Sequence, residues 1–174
     1  MRLTAYVFVT EWVVPGTVQE VADVLDVPQE LPRWWPEVYL SVARLVPGGE
    51  HNVGGVFDFR TRGWLPYTLR WQMTVESVVP NRRFVIRADG DFIGTGVWTL
   101  TQDGPNARVT YEWTIRVGKP LLRRLSFALR PIFSANHRWA MRAGERGLAR
   151  ELERRRVEQA CARGVALETA PDGA

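Results

Sequence analysis

The sequence predicts an α+β domain in which a seven-stranded antiparallel sheet, interrupted after its first strand by two short helices, wraps around a long C-terminal helix. Three observations carry that expectation. Period-two alternation runs in six segments from residue 38 to residue 117, with turn signals between them. Residues 120–157 then switch to helical spacing. A sheet with one apolar face needs a cover, and the terminal helix is the element long enough to supply it.

Residues 2–14 put Leu3, Ala5, Val7, Val9 and Val13 on one parity and Tyr6, Phe8 and Trp12 on the other, so this strand is expected to be covered on much of both faces. Pro15-Gly16 ends it. Thr17 is placed as an N-cap, Glu20 completes a capping box, and Val18, Val21, Ala22, Val24 and Leu25 form the apolar face of a short helix. Pro28, Pro32 and Pro36 then restrict the residues before them, which predicts one helical turn and a rigid connector. Six strands follow, at 38–46, 54–63, 66–79, 82–89, 92–102 and 107–117. Leu69, Trp71, Met73 and Val75 alternate with Arg70, Gln72, Thr74 and Glu76, so one face is wet and one covered. A helix over 120–157 would span roughly 57 Å at 1.5 Å per residue, longer than the domain can use, so Pro131 is expected to break it. Residues 1–157 are read as one domain and 158–174 as a flexible tail.

Composition narrows the function classes. With 45% hydrophobic and 24% charged residues in 174, the chain reads as one soluble globular unit. It has no apolar run of roughly 18 residues and no signal peptide's apolar stretch, which makes the cytoplasm the default compartment. Cys161 stands alone, and His51 and His137 are the two imidazoles, so no metal site and no cofactor are expected. Residues 119–156 carry 11 Lys+Arg against 3 Asp+Glu, while residues 1–118 carry 11 against 13. The basicity belongs to the last helix, where Arg138, Arg142, Arg146, Arg150 and Arg154 form one ridge. That ridge reads as a solvated face, or as a stripe for anionic headgroups. Nucleic acid is not expected, because no aromatics interleave with the arginines.

Several short motifs stand in a telling order: Val14-Pro15-Gly16-Thr17-Val18, Trp35-Pro36-Glu37-Val38, Val53-Gly54, the run from Gly90 to Trp98, and Val109-Thr110-Tyr111-Glu112-Trp113. In these the chain resembles the START-like (SRPBCC) superfamily, in its polyketide cyclase/dehydrase and lipid-transport branch, over roughly residues 3–153. The resemblance implies a helix-grip fold with a cavity between sheet and C-terminal helix, used in the family for sterols, lipids, polyketides and plant hormones. Function still has to be argued from the site.

On the last helix the ridge Asn136, Ala140, Gly144, Leu148, Leu152, with Ala143 and Gly147 beside it, lacks bulk near its middle. Either the helix packs tightly there, or the missing side chains leave cavity volume. Trp35, Trp64, Trp71, Trp98 and Trp113 on covered positions could stack on a flat ligand or serve as plain core. The expected ligand lining is Trp35, Trp71, Trp98, Tyr111, Trp113, Phe133, Asn136 and Ala140. For catalysis the candidates are Asp58 and Arg60, as a pair at the pocket, and His137. No nucleophile-base arrangement or phosphate-cradling loop is evident.

These observations give three functional readings. The first is binding or transport of a small hydrophobic molecule. The second is a polyketide cyclase or dehydratase using Asp58, Arg60 or His137. The third is a lipid shuttle in which Leu121, Leu122, Leu125, Phe127, Leu129, Ile132 and Phe133, with nearby arginines, make weak contact with an anionic membrane.

Overall fold

A computed structural model describes residues 6–64, 67–117 and 120–168. Strand β1 (Tyr6–Pro15) leads into α1 (Val18–Leu25), a 3-10 turn at Pro28–Glu30, and α2 (Leu31–Trp34). Then come β2 (Tyr39–Val46), β3 (Val56–Arg62), β4 (Thr68–Val79), β5 (Arg83–Gly90), β6 (Phe92–Asp103), β7 (Asn106–Val117) and α3 (Pro120–Glu168). The seven strands form one antiparallel sheet in the order β1-β7-β6-β5-β4-β3-β2. Hairpins join β2 through β7, and the α1–α2 segment carries the chain from one sheet edge to the other. This is the helix-grip fold that the sequence predicts, and β2 to β7 begin and end within about two residues of the expected positions. Among the described residues no helix is long and apolar enough to cross a membrane.

The period-two pattern fixes the inner face. Phe57 and Phe59 of β3, Trp71 and Met73 of β4, Phe84 and Ile86 of β5, and Tyr111 and Trp113 of β7 are all buried. The expectation for β1 needs correcting: Trp12 and Val14 are buried, but Val7 and Val9 are 66% and 63% exposed. Among the described residues nothing lies over the outer face of this edge strand. Its second cover comes at its edge instead, where the Val13 N–H donates to Glu145 Oε1 at 3.0 Å and Arg156 donates to the Pro15 carbonyl at 2.8 Å. Helix α3 thereby occupies backbone groups that an open sheet edge would leave free.

Helix α3 corrects a second expectation, because it runs through Pro131 without a break. A proline removes one backbone donor and crowds the preceding turn, a local cost of about 3 kcal/mol. The turns on either side carry the helix past it. Its 49 residues fit because the C-terminal part overhangs the domain: residues 157–163 are exposed. The seat is the middle. A Cβ on Gly147 would lie 2.0 Å from the Trp34 carbonyl oxygen, and one on Gly144 would lie 2.5 Å from the Trp35 ring and 2.8 Å from Trp12. Of the two readings of these small residues, close approach is the one observed.

Charge locks the seat. The Glu151 side chain is 2% exposed and accepts from Arg33 of α2 at 2.5 Å and from Arg154 and Arg155 at 2.8 Å. Burial alone would raise its carboxyl, but hydrogen bonds from Arg154, Arg155 and Arg33 outweigh that and hold it at about 2. Glu30 accepts from Arg33 at 2.7 Å and Arg155 at 2.5 Å. The expected capping box forms at Thr17 and Glu20, and Glu20 also accepts from Arg156 at 2.7 Å, which draws its carboxyl down to about 2. The arginine ridge is therefore divided. Arg154 belongs to this network and Arg150 stands 3.7 Å from Glu37, whereas Arg138, Arg142 and Arg146 are exposed.

Candidate functional site

Alternation on the inner face, with the Trp34-Trp35 step after α2, brings eight rings into a closed circuit. Trp12 meets Trp35 at 5.4 Å, Trp35 meets Tyr39 at 5.2 Å, Tyr39 meets Phe59 at 5.5 Å and Phe59 meets Trp71 at 4.6 Å. The return path runs from Trp71 to Trp113 at 5.9 Å, to Tyr111 at 5.7 Å, to Trp98 at 3.9 Å and back to Trp12 at 5.3 Å. Edge, tilted and stacked pairs all occur, as ring quadrupoles allow.

Among the described residues, two pockets that adjoin this circuit share Tyr39, Trp71 and Tyr111 as a common wall. The first holds about 680 Å³ of space, partly open to solvent, between α1, α2 and the middle of the sheet; Val24, Leu31, Trp34, Met73, Phe84 and Ile86 add to its lining. The second holds about 620 Å³, also partly open, beneath α3 at Asn136–Met141. Their polar groups gather at the mouths. At the first, Asn52 donates to the Asp26 carbonyl at 2.7 Å and the His51 ring meets the Asp26 carboxylate at 3.2 Å. His51 and Asn52 both hold positive φ, 51° and 59°, which non-glycine residues seldom adopt. At the second, the Trp64 N–H donates to Asn136 Oδ1 at 3.0 Å.

Deeper in, Trp71 donates to the Thr61 hydroxyl at 3.1 Å and Trp35 donates to the Ala140 carbonyl at 3.0 Å. His137 stacks on Phe8 with centroids 4.3 Å apart, and its Nε2 lies 3.3 Å from the Thr10 hydroxyl. Burial, helped by the neighbouring charge of Arg138, lowers its pKa to about 4, so the imidazole is neutral at pH 7. Burial also raises the phenols of Tyr39 and Tyr111, keeping both protonated.

The structure brings most of the predicted lining together. Trp35, Trp71, Tyr111, Trp113, Asn136, His137 and Ala140 line the second pocket, and Trp71, Trp98 and Tyr111 line the first. Asp58 and Arg60 are a correction: they lie on the outer face of β3. Phe57 and Phe59 take the inner positions at 0% exposure, so the alternate residues must point away. Arg60 is exposed opposite Arg70, and Asp58 sits opposite Gln72 and Ala43. Trp64 is 52% exposed at the second mouth. The Phe133 side chain and those of Leu121, Leu122, Leu125, Phe127 and Leu129 lie outside the described residues.

Sequence reasoning missed Tyr39, Phe59 and the Asp26–His51–Asn52 mouth. Phe59 was available from the parity of β3. Tyr39 was not, because the β2–β3 register shifts between Tyr39 and Ser41 and removes the period that would have marked it.

The sequence pattern of polyketide cyclase/dehydrase and lipid-transport proteins matches residues 7–153. No curated protein matches the chain in sequence. Among solved structures, TTHA0849 from Thermus thermophilus superposes with a TM-score of 0.67 at 20% identity, covering 88% of this chain and 99% of that one. The Zhui aromatase/cyclase from a Streptomyces species gives 0.69 at 15% identity, covering 87% and 96%. A START superfamily protein from Mycobacterium smegmatis gives 0.64 at 12% identity, covering 85% and 97%. At such identities these likenesses establish the fold, and the match over residues 7–153 establishes the family: the chain belongs to the polyketide cyclase/dehydrase and lipid-transport family.

Proposed function

We propose that this chain binds and carries a small hydrophobic molecule, lipid-like or polyketide-like, in the paired pockets between sheet and α3, and acts in the cytoplasm. The supporting observation is the aromatic wall common to both pockets, in which Tyr39, Trp71 and Tyr111 each face two compartments. An apolar ligand there would gain about 25 cal/mol for each Å² removed from water, with stacking on the indoles added. Native mass spectrometry of freshly purified protein, with organic extraction of whatever is released, tests this. A defined co-purifying apolar molecule supports it. A protein that carries none and takes up no hydrophobic fluorescent probe overturns it.

One observation favours a second reading, a cyclase or dehydratase. His137 is a neutral imidazole inside the second pocket, in reach of the Thr10 hydroxyl, and could take a proton from carbon beside a ketone. Turnover of a poly-β-ketone that is lost in His137→Ala, while binding persists, would select this reading over the carrier.

The exposed Arg138, Arg142 and Arg146 supply charge for weak contact with an anionic membrane. Binding to anionic but not neutral vesicles, abolished by high salt, tests that addition.

A further inference from the structure

The wall between the pockets carries three polar side-chain atoms, the Trp71 indole nitrogen and two phenol oxygens. Tyr39 and Tyr111 contribute phenol hydroxyls, and neither hydroxyl hydrogen-bonds to any described residue, whereas the neighbouring Trp71 and Trp35 N–H groups both have protein acceptors. Among the described residues the buried side-chain polar atoms without a partner are Trp12 Nε1, Trp34 Nε1 and Glu37 Oε2, so the two hydroxyls are not sealed off: they reach water in the pockets, and a ligand oxygen would take that water's place. The two phenols are near enough that negative charge on Tyr39 would raise Tyr111 further, so both act at neutral pH as uncharged donors. The position of Tyr111 is built in. A Cβ on Gly96 would stand 2.9 Å from the Tyr111 hydroxyl, so the glycine makes room for it.

The charges around the pockets complete the argument. Among the described lining residues the one arginine is Arg62, at the exposed edge of the second pocket, where its Nε donates to the Glu37 carbonyl at 3.3 Å. His137 is neutral. A ligand carboxylate at the wall would meet no cation, and an ion unpaired in such a site is strongly disfavoured.

We propose that the Tyr39 and Tyr111 hydroxyls form a polar waist that selects an uncharged ligand with a carbonyl or hydroxyl oxygen near the middle of an elongated apolar frame, one arm in each pocket. This rests on the binding function proposed above and specifies its ligand class.

Equilibrium dialysis with three probes tests it: 1,5-diphenylpentan-3-one, the hydrocarbon 1,5-diphenylpentane, and palmitate. Each is measured on the native protein, Tyr39→Phe and Tyr111→Phe, which keep the rings and their contacts. The ketone is expected to lose roughly 3- to 10-fold in affinity in at least one variant, the size of one neutral hydrogen bond. The hydrocarbon should change less than about 2-fold and palmitate should bind more weakly than the ketone. If the ketone and the hydrocarbon respond alike in both variants, or palmitate binds as tightly as the ketone, the waist is overturned while the binding function stands. If neither neutral probe binds the native protein, the binding function falls and the waist with it.

Discussion

Asn136 on α3 accepts the Trp64 N–H at 3.0 Å only because residue 63 has no side chain: a Cβ there would stand 2.1 Å from Asn136 Oδ1. The contact ties the segment after β3 to the helix at the mouth of the second pocket. Gly63→Ala must displace the Asn136 amide, which can turn aside, and Asn136→Ala removes the acceptor while leaving the space; in both the bond to Trp64 is lost.

Both substitutions are expected to speed ligand escape several-fold while lowering stability by about 1 kcal/mol, the net worth of a single hydrogen bond. Stopped-flow dissociation of a bound hydrophobic dye measures this. Unchanged escape rates in both variants would mean that ligands do not pass through this mouth.

At the other end of the helix, Glu151 is the hub on which Arg33, Arg154 and Arg155 converge. Glu151→Gln leaves three guanidinium groups around a neutral amide, but the Arg33 and Arg154 side chains are 44% and 38% exposed and water takes up part of their charge, so the expected cost is about 1–3 kcal/mol, less than for a fully buried pair. Glu151→Leu is expected to be at least as damaging. Urea denaturation reads both, and a loss below about 1 kcal/mol in each would show that the cluster is a bystander to the seating of α3.

Gly147→Ala makes opposite demands on the helix. Alanine favours a helix by about 1 kcal/mol over glycine, but here its methyl would meet the Trp34 carbonyl oxygen at 2.0 Å. Backbone cannot rotate away as a side chain can, so overpacking at about 1–3 kcal/mol prevails and the variant is destabilised. A raised melting temperature would refute this. Arg146→Ala, at the exposed position one residue earlier, should be close to neutral.

Most of this architecture is legible in the residues themselves, and the failures are physical. Strands β2 to β7 declare themselves because inner and outer residues differ in polarity at every step, as in Leu69 to Glu76. For β1 the alternation misleads: Val7 and Val9 are apolar yet exposed, since a hydrophobic side chain on an edge strand costs little when left in water. Pro131 misleads in the other direction, because a proline's local cost is known but the support of the flanking turns is not. At the site, Trp71 and Trp113 are buried as the strand alternation predicts, whereas Trp64, expected on a covered position, is exposed. Asp58 and Arg60 do not fall where expected, although the same parity that buries Phe57 and Phe59 could have excluded them. The mouth formed by Asp26, His51 and Asn52 depends on two left-handed residues and a contact across 25 positions, which no local pattern encodes.

His137 offers a pH signature free of the carboxylates. Its ordinary pKa is 6.5 and the folded protein lowers it to about 4. Between those values the unfolded chain takes up a proton that the folded chain refuses, so the unfolded state is favoured as pH falls from about 6.5 to about 4. The loss can reach about 1.4 kcal/mol per pH unit, and about 1–2 kcal/mol in total once its partial exposure is allowed for. Glu20 and Glu151, held at about 2 against an ordinary 4.5, act only lower, with their stabilisation lost as pH falls from about 4.5 towards 2. The groups packed on the imidazole are Phe8 and the Thr10 hydroxyl, with Arg138 beside it. Urea denaturation at pH 6.5 and pH 5 should therefore show a drop in the native protein that is absent in His137→Leu. An equal drop in both would place the acid sensitivity elsewhere and leave the imidazole without the burial that makes it neutral.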